Sequence, residues 1–237
     1  MSLEGQIALV TGAGRGIGKA ISCSLAGSGA TVVLVSRTLA QLDSVRREIE
    51  SAGGKAVSIC ADITREVDVA RLFDEVKGRF GRVDILVNNA GIGKFVSVKE
   101  MSVSDFDAMW SLNVRALFLC TQRAIPFMEQ QQSGIIVNIS SLAGKNAFVN
   151  GAGYAATKWA LMGFAKCLML EERQHNIRVI TICPGSVDTD FSGHGSGGSR
   201  GEKILSPQDV AETVLSAITI HPRAMVSEID IRPTNPK

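Results

Sequence analysis

The chain has 237 residues, of which 45% are hydrophobic and 20% charged, with 24 glycines and a net charge of +2. Such a composition excludes a disordered chain and supplies ample core material. A charge this close to balance, with no long basic run, gives no footprint for nucleic acid or an anionic membrane.

Short apolar, β-branched runs alternate along the chain with longer amphipathic ones. Strands are predicted over 6–10, 31–36, 55–60, 83–88, 134–140, 177–183 and 227–233, and their near-continuous hydrophobicity marks strands buried on both faces of a parallel sheet. Helices are predicted between them over 17–28, 39–52, 65–79, 103–131 and 154–174, the fourth bent or interrupted at Pro126. A last helix over 207–219 follows Ser206 and Pro207, a cap and a first-turn proline. The glycine-serine stretch 192–201 reads as a flexible loop. Strand–helix alternation throughout predicts one α/β domain over 1–237, a doubly wound parallel sheet of the Rossmann type in a three-layer α/β/α sandwich.

Cys23, Cys60, Cys120, Cys167 and Cys183 are odd in number, without a C-x-x-C pair, and mostly inside apolar runs. They read as buried free thiols of a reducing compartment, and the expectation is a cytoplasmic protein. His175, His194 and His221 lie far apart, which predicts no metal site. The N-terminus lacks the basic and apolar regions of a signal peptide, and no run of 18 apolar residues is present to span a membrane.

The first predicted strand runs into TGAGRGIG, residues 11–18, and then a helix. Gly12, Gly16 and Gly18, with Gly14 between them, allow a tight turn and close backbone approach to a pyrophosphate on the helix N-terminus, where Arg15 and Ile17 also lie. The second strand ends at Ser36 and Arg37, where proteins that bind NAD tend to carry an acid for the ribose 2′-hydroxyl. Arg15 and Arg37 would instead attract a 2′-phosphate, each contact being worth ~1.5–3 kcal/mol, unless they are simply solvated surface arginines.

The only tyrosine, Tyr154, stands four residues before Lys158, so helical spacing puts both on one face. A surface contact between ring and ammonium would explain the pair. The alternative is a tuned acid, because a nearby ammonium stabilises phenolate and lowers the tyrosine pKa from about 10.

TGAGRGIG (11–18), AD (61–62), NNAG (88–91), SLNV (111–114), VNISS (137–141), YAATK (154–158) and CPGSVDT (183–189), in this order and spacing, resemble the short-chain dehydrogenase/reductase family in its compact, single-domain form. The resemblance implies an oxidoreductase that interconverts a carbonyl and a secondary alcohol with NADP(H). Asp62 and Ile63 would line the adenine, though Asp62 or Thr64 also reads as a helix N-cap. Asn88, Asn89, Ala90 and Gly91 would follow the adenosine ribose, with Asn88 also tying neighbouring strands together. Pro184 and Gly185 would turn the chain so that Val187 and Thr189 hold the nicotinamide carboxamide and a phosphate. The catalytic set would be Asn113, Ser141, Tyr154 and Lys158. Ser141 is preferred over Ser140 because the family's serine precedes its tyrosine by thirteen positions. Asn113 would hold a water beside Lys158; alone it reads as a helix-kink residue. Phe95, Leu142, Phe148, Val149 and Phe191 read either as pocket wall or as core.

The partners implied are a small carbonyl or alcohol and a second copy of the chain, as a homodimer or homotetramer. Reductases acting on acyl-carrier protein tend to be basic after the fourth and fifth helices, where this chain reads QQQ (130–132) and QHN (174–176). Sugar-nucleotide epimerases share the Tyr-x-x-x-Lys pair but need a further domain. A non-catalytic NADPH sensor is the remaining alternative.

Overall fold

In the computed structural model, which describes residues 2–192 and 204–234, seven strands form one parallel sheet in the order β3-β2-β1-β4-β5-β6-β7. The strands are β1 (Ile7–Thr11), β2 (Thr31–Ser36), β3 (Lys55–Cys60), β4 (Ile85–Asn88), β5 (Gly134–Ile139), β6 (Ile177–Pro184) and β7 (Glu228–Ile231). Alternation within a strand decides which face each side chain serves. On β1 and β2, Ala8, Val10, Val32 and Leu34 join one core, and Ile7, Leu9, Val33 and Val35 the other. Helices α1 (Gly16–Gly27), α2 (Leu39–Ser51) and α7 (Pro207–Thr219) cover the first core through Leu25, Leu42 and Val214. Helices α3 (Glu66–Phe80), α5 (Ala116–Gln131) and α6 (Ala152–Glu172) cover the second through Leu72, Ala124 and Leu168. The doubly wound, three-layer expectation therefore holds. Strand order reverses between β1 and β4, and a crevice outside the carboxyl ends of the strands opens at that point.

The predicted ends lie within about two residues of those observed. At α7 the Ser206 hydroxyl accepts from Asp209 N at 3.2 Å while Ser206 N donates to Asp209 Oδ2 at 2.7 Å, and Pro207 opens the helix. The helix predicted over 103–131 is the exception. It is divided into α4 (Val103–Trp110) and α5 by a π-helical turn, Ser111–Arg115, whereas Pro126 lies inside α5 without breaking it. The π turn carries Asn113, whose buried amide bonds outward to two other segments, and such a wide turn is common where a helix serves a site.

All five cysteines are free, but only Cys120 and Cys183 are buried; Cys60 and Cys167 are exposed. Their apolar sequence neighbours mislead because Cys167 lies on an outward face of a helix and Cys60 at the end of the edge strand β3. Among the described residues, no helix is long and apolar enough to cross a membrane. Residues 193–201 of the glycine-serine stretch lie outside the described part.

Candidate active site

The crevice is built where β1 and β4 end. Thr11 Oγ1 accepts from Asn89 N at 3.0 Å and Ala90 N at 3.1 Å, and Asn89 Nδ2 donates to Thr11 O at 2.9 Å. These bonds hold the two turns against each other. The contact leaves no room at the first and last glycines. A Cβ on Gly12, whose φ is 66°, would sit 2.9 Å from Asn89 Nδ2, and one on Gly18 would sit 2.2 Å from the Gly12 carbonyl oxygen. Arg15 occupies the N-cap position of α1 without a side-chain cap, and the first turn carries no acid. The free amides there and at Ile17 make a ready anion site, so the residues present fit a pyrophosphate.

Gly14 faces the end of β2: a Cβ there would meet Gln41 at 3.0 Å and Ser36 Oγ at 3.4 Å. Ser36 Oγ accepts from Thr38 N at 3.3 Å. Arg15 reaches across to Asp190 at 3.8 Å, an exposed pair of little worth that a stronger anion can displace. Asp62 is not the cap of α3, whose N-cap is Arg65; its Oδ1 instead accepts from Thr64 N at 3.1 Å and Thr64 Oγ1 at 2.7 Å. Burial pushes the Asp62 carboxyl up, but these bonds and the charges of Arg37 and Arg65 leave it below its ordinary value. The Ile63 side chain is buried in the core beside α3. Asn88 ties β4 to its neighbours as expected, donating to Asn138 Oδ1 and Thr121 Oγ1, both at 3.0 Å.

On the far side, Gly185 N donates to Ile231 O at 2.8 Å, which carries the chain from Pro184 out of the sheet. Val187 bridges to Leu205, and Thr189 lies against the glycine turn, its Cγ2 3.3 Å from a Cβ built on Gly16.

Tyr154 and Lys158 stand one turn apart at the start of α6, 7% and 5% exposed. Lys158 Nζ donates to Ile139 O at 2.9 Å and lies 5.7 Å from the tyrosine ring centroid. Ser141 heads the short 3₁₀ turn Leu142–Gly144; its Oγ accepts from Ala143 N at 3.1 Å, and its hydroxyl lies near enough to the phenol to draw the tyrosine pKa down. Ser140 faces the other way. It is buried, its hydroxyl has no partner, and a Cβ on Gly144 would lie 3.0 Å from it. The structure thus brings Ser141, not Ser140, to the tyrosine.

Asn113 is a clamp. Its Nδ2 donates to Ile92 O at 2.9 Å and Thr157 Oγ1 at 3.0 Å, while its Oδ1 accepts from Ile92 N at 2.9 Å. Three of its four bonding positions are thereby used. Asn113 Oδ1 and Lys158 Nζ both border Gly91, at 3.2 and 3.9 Å from a Cβ built there.

The electrostatics differ from the sequence expectation. Burial pushes the Tyr154 phenol up to about 12, opposed only by the Ser141 hydrogen bond, and burial brings the Lys158 ammonium down to about 8. The ammonium does not lower the phenol because it is turned toward the Ile139 carbonyl, and desolvation outweighs it.

Phe95, Phe148 and Phe191 are neither core nor scattered. Phe95 lies 5.3 Å from the Tyr154 ring centroid and Phe191 5.7 Å, with Phe148 at 6.0 Å from Phe95. Leu142 packs beside Cys183, whereas Val149 is 88% exposed. Beside this cluster runs an apolar groove of about 370 Å³ lined by Val96, Val98, Phe148, Val149 and Ala155. Thr11, Thr157 and the Ile139 carbonyl were missed as site groups; the first two lie inside quoted motifs, and a backbone acceptor leaves no mark in a sequence.

A dinucleotide crevice with a buried Tyr–Lys pair and a half-buried serine at its rim defines a class of oxidoreductase, and comparison with known proteins agrees. The profile of the short chain dehydrogenase family matches residues 6–196. The chain belongs to that family, whose members are oxidoreductases that use nicotinamide cofactors. It is 35% identical over 236 residues to the sepiapterin reductase of Chlorobaculum tepidum, covering 97% of this chain and 96% of that one. It is also 35% identical over 220 residues to the 3-oxoacyl-[acyl-carrier-protein] reductase FabG of Thermotoga maritima, covering 93% and 85%. A metagenomic short-chain oxidoreductase solved in complex with NADP shares 39% identity at a TM-score of 0.88, over 99% of both chains.

Proposed function

We propose that this protein is an NADPH-dependent carbonyl reductase acting on apolar, ring-bearing ketones, and reversibly on their secondary alcohols. The observation that carries the reading is the buried Tyr154 phenol held between the Ser141 hydroxyl and the phenylalanine cluster. A pKa near 12 keeps the phenol protonated at neutral pH, which is the state a proton donor needs. When bound, the reduced nicotinamide supplies the hydride. Tyr154 Oη gives its proton to the substrate oxygen, and the Ser141 hydroxyl donates a hydrogen bond to the same oxygen. Lys158, still mostly protonated at pH 7 and 5.7 Å from the tyrosine ring centroid, stabilises the phenolate that forms once its ammonium turns from the Ile139 carbonyl.

Ser36, Arg37 and Arg15 support NADPH over NADH, since no acid is present at the end of β2 to repel a 2′-phosphate. The solved metagenomic relative holds NADP. The apolar groove and three phenylalanines favour an uncharged, ring-bearing substrate over a small polar one. The ends of α5 and α6 carry Glu129 and Glu172 beside QQQ and QHN, which speaks against an acidic carrier-protein partner. Assembly through these helices is supported by exposed Phe118, Trp159 and Leu170 and by a groove of about 500 Å³ lined by Trp110, Val114, Phe118 and Phe164.

A panel of aryl, cyclic, small aliphatic and charged ketones with NADPH, followed by loss of reduced-nicotinamide absorbance, tests the reading. Tyr154→Phe should bind NADPH normally and lower kcat by ~10³ or more, equal to about 4 kcal/mol of transition-state stabilisation. Retained activity in that variant overturns the mechanism. NADPH binding without turnover on any ketone points to the sensor.

A further inference from the structure

We propose that Glu129, Glu172 and His175 bind one divalent transition-metal cation of the zinc type, at the end of the sheet opposite the catalytic tyrosine. Glu172 and His175 stand three residues apart, and Glu129 lies more than forty residues before them. The fold brings one ligand atom from each within 4.8 Å of the others. Glu129 lies in the last turn of α5, Glu172 ends α6, and His175 ends the 3₁₀ turn Arg173–His175 that follows. From Tyr154 to Glu172 the helix runs roughly 27 Å, so the cluster is remote from the reaction.

Two independent features point to a cation. Glu172 is 9% exposed, and its Oε2 is shielded with no hydrogen-bond partner. The local charge is also unbalanced. Among the described residues, the only ion pair made by Glu129 or Glu172 is Glu129 with His175, at 3.5 Å. Burial, then Glu129, push the Glu172 carboxyl up, Glu171 adds to this, and only His175 opposes it. Two helix C-termini add their own negative ends at the same place. A doubly charged cation would neutralise two carboxylates and satisfy the orphaned oxygen.

The donor set selects the kind of ion. Two carboxylates and an imidazole, without thiolate, suit zinc and its neighbours better than magnesium or calcium, which favour all-oxygen shells. With bonds of roughly 2.1 Å, tetrahedral ligand atoms end roughly 3.4 Å apart, so the widest pair must close by up to about 1.4 Å. Gln132 Nε2 donates to Glu129 O at 2.9 Å and lies 3.3 Å from His175 Nδ1, so it must swing aside for Nδ1 to carry the proton while Nε2 binds the metal. Three protein ligands leave a position for water.

The test is calorimetric titration of the chelator-treated, full-length protein with zinc chloride, in a Cys60→Ser, Cys167→Ser background because those exposed thiols compete. One equivalent should bind per chain, and Glu172→Gln and His175→Gln should each weaken it at least tenfold. Ketone reduction should be unchanged in both variants. Cobalt(II) should give the visible spectrum of a low-coordinate site without a thiolate charge-transfer band, and should shift the ring proton resonances of one histidine alone. That last readout needs no ligand substitution, so it stands even where a variant folds poorly. No stoichiometric binding, an affinity unchanged from the unsubstituted background in both variants, or unshifted histidine resonances would overturn the proposal and leave the trio as a carboxylate–imidazole clamp.

Discussion

Replacing Lys158 with methionine should make the protein more stable and nearly inactive at once. Lys158 Nζ is buried and has one protein acceptor, Ile139 O at 2.9 Å. Its ammonium falls from 10.5 to about 8 through burial, which at about 1.4 kcal/mol per unit puts the cost of keeping it charged near 3 kcal/mol. Methionine fills a similar volume without charge but leaves the Ile139 carbonyl unpaired, a loss of about 1–2 kcal/mol. The balance at pH 7 is a stabilisation of about 1–2 kcal/mol, or roughly 2–8 °C in melting temperature for a chain of this size. The pH dependence carries the sign. Between about 8 and 10.5 the unfolded lysine binds a proton that the folded one has released, so wild-type stability rises through that window and the gap to the variant closes. Tyr154, raised toward 12, contributes the opposite trend only above pH 10. Melting curves of both proteins at pH 7 and pH 9.5, alongside kcat and the KM for NADPH, provide the assay. A variant that is less stable at pH 7, or a gap that does not shrink by pH 9.5, would refute the claim that burial sets the lysine pKa.

The remaining predictions concern neighbouring parts of the site and the assembly. Ser36→Asp with Arg37→Leu should reverse or erase a preference for NADPH, chiefly through KM; equal kcat/KM for the two cofactors in the unaltered protein would remove the premise. Ser141→Ala should lower kcat by ~10²–10³. Ser140→Ala should leave activity nearly unchanged and be neutral or stabilising, because it removes a buried hydroxyl that has no partner. Alcohol oxidation should accelerate with rising pH as Tyr154 loses its proton, while ketone reduction declines above about pH 8 as Lys158 discharges. Light scattering at micromolar concentration should give a dimer or tetramer, and Phe118→Glu should shift it toward monomer.

What could be read in advance follows from how far each signal extends along the chain. Strand burial was legible because β1 and β2 divide their alternating side chains between two cores, so every position of 7–10 and 32–35 is apolar. The glycine turn was legible because Gly12 and Gly18 are required by contacts of 2.9 and 2.2 Å that no other residue tolerates. The choice of Ser141 came from a count, and the structure supplies its physical reason: the 3₁₀ turn points one serine at the phenol and buries the other. The π turn was not legible, since helical periodicity passes through Ser111–Arg115 unchanged and only Asn113's bonds to Ile92 and Thr157 explain the widening. Nor was the tyrosine's pKa. Four-residue spacing establishes that Lys158 is near Tyr154, but the sign of the shift depends on where Nζ points and how much water is excluded. Both are decided by β5, which lends the Ile139 carbonyl from nineteen residues earlier. A motif can therefore name the groups that meet, while their protonation states belong to the packing around them. The lysine is the clearest case, because the burial that costs the fold stability also keeps its charge close to the proton that must move.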